Sequence, residues 1–135
     1  MATEERRDHD LKALLVAFAA VNAAIGLWML FGAGSFQEFT NFGARNDHQV
    51  RDFSTAYLSM AVGLALAVRR SAWRVPVLVI TLVQYALHLV VHIVDVNKAH
   101  PPAAGWGTVG GLALPVLVLA YLLRRASADT LPADR

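Results

Sequence analysis

Cysteine is absent from the 135 residues, which removes disulfide frameworks, zinc ribbons, CxxC redox pairs and thiol nucleophiles from consideration. Charge is scarce too, with Asp, Glu, Lys and Arg making up 16% of the chain against 56% hydrophobic residues. That balance excludes a disordered chain. A soluble domain of this size has too small a core to hide so much apolar sequence, and a mean hydropathy of +0.46 points to lipid as part of the solvent. Also missing are a serine nucleophile at elbow geometry with a paired histidine, a phosphate-cradling glycine loop and a basic amphipathic surface for nucleic acid. Nucleic acid is not an expected partner.

What the chain does have is long uncharged runs. Residues 13–31 are apolar apart from Asn22, 53–68 form a second run, 75–94 a third, and 103–123 a fourth with Pro115 inside it. Backbone groups in hydrocarbon must be bonded within their own segment, so these runs predict helices. The expected fold is all-α: an integral membrane, antiparallel four-helix bundle with spans at about 11–32, 48–68, 75–96 and 104–123. Residues 1–125 then make one membrane domain, and 126–135 read as a flexible cytoplasmic tail.

The pI near 9.4 reports orientation. Arg6, Arg7 and Lys12 precede the first run, Arg69, Arg70 and Arg74 separate the second from the third, and Arg124, Arg125 and Arg135 follow the fourth. Only Arg45, Arg51 and Lys98 occupy the other two connections. Nine basic residues against three place both termini in the cytoplasm of a multi-pass cell-membrane protein. A cleaved leader ending near Gly32 and Gly34 fits less well, because the apolar stretch is too long and Glu4, Glu5, Asp8 and Asp10 make the residues before it acidic.

The first outer connection carries local signals. Ser35 and Glu38 have the form of a capping box, and Phe36, Phe39 and Phe42 fall at helical spacing, predicting a short interfacial helix, with phenylalanines that only anchor a loop in the headgroups as the alternative. Asn46 with Gln49 predicts an N-cap, with the second long helix starting near Asp47. Trp28 and Trp106 fall near the expected outer boundary and Trp73 near the inner one, as an aromatic belt requires. Small residues four apart (Ala20 with Ala24, Gly63 with Ala67, Gly107 with Gly111) predict close helix packing inside the bundle.

The second run is short. Its sixteen residues rise only about 24 Å against a hydrocarbon core of about 30 Å, so the charged turn above it lies at or just inside the outer surface. His48, Asp52, Thr55 and Ser59 share one helical face there, with Arg51 beside them. On the third run Gln84, His88, His92 and Asp95 form another stripe at the same depth. Ionisable groups in a membrane are expensive, so His48, Arg51, Asp52, Gln84, His88, His92 and Asp95 are expected to share an outward-opening polar pocket. Asn22 would hydrogen-bond beneath it, and Glu38 would reach it from above.

Three chemistries use such residues. His88 and His92 with Asp95 would offer three ligands to a metal ion, with His48 or Asp52 as a cross-helix ligand. His48 with His88 or His92 would hold a haem, and a His with an Asp suits a proton relay or the head of a quinone. The alternative is structural: the same groups staple the second and third helices, each contact contributing about 1 kcal/mol. His9 and His100 fall at tail and loop positions and join neither set.

The order Asn22, Gly26 and Leu27-Trp28-Met29-Leu30-Phe31, then Ser35-Phe36, Arg51-Asp52, Tyr57-Leu58 and Gly63, resembles small bacterial four-span inner-membrane proteins of the DoxX-like type over residues 11–123. The resemblance implies an accessory subunit of a larger redox membrane complex, linked to quinone or sulfur chemistry. The missing cysteine and the His88/His92 pair depart from that pattern, and no catalytic role is carried over. The expectation is therefore an accessory or small-ligand-binding subunit, whose partners are the lipid bilayer, a larger membrane complex or a small lipophilic ligand. The alternative is a metal- or haem-dependent membrane redox protein using His88, His92 and Asp95. A proton-coupled carrier is the third reading, disfavoured by a narrow four-helix pathway without an internal repeat.

Overall fold

The structure, a computed structural model, describes residues 2–40, 44–99 and 101–128, and within them it is all-α with no strand. Five helices follow in order: α1 (Ala2–Phe31), α2 (Ala33–Thr40), α3 (Asp47–Arg69), α4 (Arg74–Val94) and α5 (Pro102–Ala128). Single 3-10 turns at Ser71–Trp73 and Val96–Lys98 join α3 to α4 and lead out of α4. Three segments, Glu5–Phe31 within α1, Ser71–Val94 covering α4 and Ala103–Ala128 within α5, are long and apolar enough to cross a membrane. α3 is comparable in length, but it begins in the charged 47–52 turn, ends on Arg69 and does not reach that apolar content.

Local chemistry sets the helix ends. The Asn46 side chain accepts a hydrogen bond from the Gln49 N–H at 3.0 Å, so α3 starts at Asp47 as its N-cap predicts. The segment expected as a short interfacial helix is helical as α2, but Ser35 does not cap it. The helix already begins at Ala33, and the Ser35 hydroxyl donates to the Gly32 carbonyl while accepting from Trp28 Nε1 at 2.9 Å. Trp28 also meets Phe36 edge-on and Phe39 at a tilt, each with centroids 5.2 Å apart, so one indole fixes α2 against the end of α1. Phe42 lies outside the described residues. At the other end α5 continues to Ala128 and buries Ala126 in the core, so the first part of the expected tail is helix. Residues 129–135 lie outside the described set.

Two helix pairs make up the body. α1 packs antiparallel on α3, with Gly26 against Leu58; a Cβ on Gly26 would come within 2.8 Å of Leu58 Cγ and 3.2 Å of its backbone nitrogen. α4 packs directly on α5, and where α5 passes the Val96–Lys98 turn a Cβ on Gly105 would overlap the Val96 carbonyl. The pairs meet where Gly63 faces Val77 and Tyr57 meets Tyr85, which bring α3 and α4 together antiparallel. Leu11 and Leu15 of α1, Leu64 of α3, Leu78 of α4, and Leu119 and Leu122 of α5 are completely or almost completely buried in one core.

The expected small-residue packing divides. Gly63 and Ala67 do face inward, Ala67 being fully buried. Gly107 and Gly111, expected inside a bundle, instead have nothing within 4 Å of a built Cβ, and Ala20 and Ala24 are exposed. Helical spacing identifies a face but not which way it turns.

Candidate functional site

The two polar stripes read from the sequence meet only through Ser59 and Gln84, which line one groove between α3 and α4, while His48, Arg51, Asp52, His88, His92 and Asp95 stay outside its lining. On α3, His48 Nε2 lies 3.4 Å from Asp52 Oδ2, and these side chains are 87% and 67% exposed. Arg51, Thr55 and Ser59 are exposed on the same helix, and Thr55 donates to the Asp52 carbonyl. The inward side of α3 carries Ser54, Tyr57, Met60, Ala61 and Leu64 instead. The larger apolar groups among them, Tyr57, Met60 and Leu64, determine the helix's rotation, and the charged turn remains at the surface.

On α4, His88 and His92 stack with ring centroids 4.8 Å apart and their Nε2 atoms 2.9 Å apart. That separation requires one nitrogen to donate and the other to accept. Asp95 stands past the end of the helix and accepts an ion pair from Lys98 Nζ at 2.7 Å. Gln84 is half-buried, one turn before His88. Among the described residues no three His, Asp or Glu side chains converge as a metal site would require, so the His88, His92, Asp95 ligand set is not assembled. His48 and Asp52 do not supply the expected cross-helix ligand, because both are engaged on their own helix. Glu38, expected over the pocket mouth, lies 3.7 Å from Arg45. His9 is exposed and His100 lies outside the described residues.

The interior polar centre lies one step round the helices. Asn22 is fully buried, its Nδ2 donating to the Phe18 carbonyl at 2.8 Å, while Tyr85 donates its hydroxyl to Asn22 Oδ1 at 3.2 Å. Tyr57 meets Tyr85 edge-on at 6.2 Å. Thr81, one turn from Tyr85, is almost completely buried and its hydroxyl has no hydrogen-bond partner among the described residues. Sequence reading reached Asn22 but missed Tyr85; a tyrosine inside an apolar run needs a partner for its hydroxyl, and that was the available signal. This arrangement joins α1 to α4.

A second tie lies near the start of α1. Arg74, 10% exposed, places Nη2 2.8 Å from Asp8 Oδ1 and directs Nε toward the Ala67 carbonyl at 3.4 Å. Lys12 shares Asp8 at 2.7 Å. Asp8 and Asn22 on α1 thus meet Arg74 and Tyr85 on α4 in the same order, so these helices run parallel.

The loop before α3 is clasped by Gln37. Its amide donates to the Ala44 carbonyl and accepts from the Asn46 N–H, both at 2.8 Å. Arg45 Nε donates to Asp47 Oδ1 at 3.0 Å, and this hydrogen bond, reinforced by the charges of Arg45 and Arg51, holds the Asp47 carboxyl below the usual carboxylate range. The same contact raises the Arg45 guanidinium.

Comparison with family models, with curated proteins and with solved structures finds no match.

Proposed function

We propose that this chain is a four-span integral membrane protein with both termini in the cytoplasm, serving as an accessory or small-ligand-binding subunit. The observation that carries the membrane reading is the outward display of large apolar side chains. Phe31 is 80% exposed, Val94 75% and Leu117 69%, with Ile80, Leu87, Val62 and Leu114 exposed beside them. Water would make such a surface an aggregation liability, whereas hydrocarbon solvates it. α3 is the fourth span of this proposal: it packs along α1, and its apolar stretch, about 24 Å long, crosses with its charged ends at the two interfaces. The basic residues near the start of α1, around the 70–74 turn and at the end of α5 set the orientation.

The accessory reading is favoured over catalysis because the polar side chains engage one another. Asn22 meets Tyr85, His48 meets Asp52, and Asp95 meets Lys98. The resemblance to DoxX-like proteins belongs to this same proposal and points to a partner complex. A second reading, a metal- or haem-dependent redox protein, is favoured by the stacked His88–His92 pair alone.

Two experiments test these readings. Reporter domains fused after Arg135 and within residues 97–101 should be cytoplasmic and external, respectively. An external C-terminal reporter would overturn the orientation. Visible spectra and metal analysis of detergent-purified wild type should show no histidine-dependent chromophore or metal; stoichiometric metal or haem lost in His88→Ala and His92→Ala would favour the second reading instead.

A further inference from the structure

Between α1 and α3 the surface opens into a groove of about 610 Å³. Ala20 and Ala23 line one wall, Ala61 and Ala65 the other, and Arg69 stands at one end. The groove exists because Gly26 lets Leu58 approach α1 closely, while the alanines beyond it are too short to fill the space between the helices. From Leu58 to Arg69 the helix advances about 16 Å. That is half the roughly 30 Å hydrocarbon core, the depth of a single leaflet.

Asp8, near the start of α1, is already shared by Lys12 and Arg74. Arg69 and Arg70 are exposed, and neither side chain has an ion pair or hydrogen bond among the described residues. An uncompensated guanidinium at the mouth of an apolar groove one leaflet deep is complementary to a molecule with an anionic head and a hydrocarbon tail.

We propose that the α1/α3 groove binds one acyl chain of an anionic phospholipid, with Arg69 on its phosphate. The proposal rests on the membrane reading above. Arginine presents a planar, bidentate donor pair to phosphate oxygens, and the alanine and valine walls offer a hydrocarbon tail an apolar surface.

The test uses the full chain reconstituted in vesicles of equal phosphatidylglycerol and phosphatidylcholine, then released gently for native mass spectrometry. Wild type should retain one phosphatidylglycerol in preference to phosphatidylcholine by about fivefold, the contribution of one basic side chain near the surface. Arg69→Gln should bring that ratio close to one. Arg124→Gln, a basic residue near the end of α5 and outside the groove lining, should leave it unchanged. Ala65→Phe, which fills an exposed part of the groove, should lower retention of both lipids without altering helix content. Equal retention in wild type, an equal loss from Arg124→Gln, or no effect of Ala65→Phe would overturn the proposal. Failure of the chain to float with any vesicle would overturn the membrane reading first, whereas flotation without lipid preference overturns this inference alone.

Discussion

At the scale of single residues, the interior contact with most at stake is the one between Tyr85 and Asn22. Removing the donor and removing the acceptor are unequal changes. Tyr85→Phe leaves Asn22 Nδ2 on the Phe18 carbonyl and should cost about 1 kcal/mol, as interhelical hydrogen bonds in membrane proteins do. Asn22→Ala strands the buried tyrosine hydroxyl and opens a small void, so its loss should be larger, about 2–3 kcal/mol. Equilibrium unfolding of the two variants in mixed micelles checks the order, and equal losses would contradict it. Asn22 was legible in the sequence because a lone amide stands out in an apolar run. Tyr85 was not, because it sits beside Gln84 and His88 and adjacency along the chain hides a rotation about the helix. The same rotation explains the divided pocket: the His48–Asp52 stripe is regular, but Ser54, Tyr57 and Ala61 occupy the inward side.

At the scale of elements, the helix starts and stops were readable where a side chain supplies the missing backbone partner, as Asn46 does for α3. Packing of glycine faces was not, because a small residue permits approach without specifying a partner. Three substitutions separate the cases. Gly105→Ala drives a methyl into the Val96 carbonyl at a turn with no flexible side chain to yield, and should destabilise by about 2–3 kcal/mol. Gly26→Ala meets Leu58, so overpacking outweighs the helix-propensity gain and the net loss should be about 1 kcal/mol. Gly110→Ala meets nothing within 4 Å and should be neutral or stabilising by up to about 1 kcal/mol. Thermal unfolding in detergent ranks all three. The loop ahead of α3 gives a pH prediction. Asp47 has its carboxyl held low by the Arg45 hydrogen bond, so this stabilisation is fully present above the unfolded value near 3.9 and is lost as pH falls through the lower folded value. Trp28 packs on α2 and reports it: in a Trp73→Phe, Trp106→Phe background its emission should be steady from pH 8 to about 5 and change only below about 4. The pair is solvent-exposed, so salt should weaken the effect.

For the whole molecule, stability depends on how two helix pairs are held together. α1 with α3 and α4 with α5 are the more extensively packed units, and α1 meets α4 through Asn22–Tyr85 and Asp8–Arg74. These ties stand fourteen residues apart on α1, or about 21 Å, and they differ in kind. The first is a neutral hydrogen bond in the interior; the second is an ion pair whose arginine is buried while its aspartate is partly open. Asp8→Asn leaves a buried guanidinium without its carboxylate, a loss discounted by the aspartate's exposure to about 1–2 kcal/mol. Sites that distant and without shared partners should act independently, so Asp8→Asn combined with Tyr85→Phe should lose the sum of the two within about 0.5 kcal/mol. A double-variant loss well above the sum would mean that releasing either tie lets the pairs separate along their whole length. Additivity would instead show that the leucine core shared by α1, α3, α4 and α5 holds the seam when a single polar tie is cut, leaving those ties to fix the register of one pair against the other.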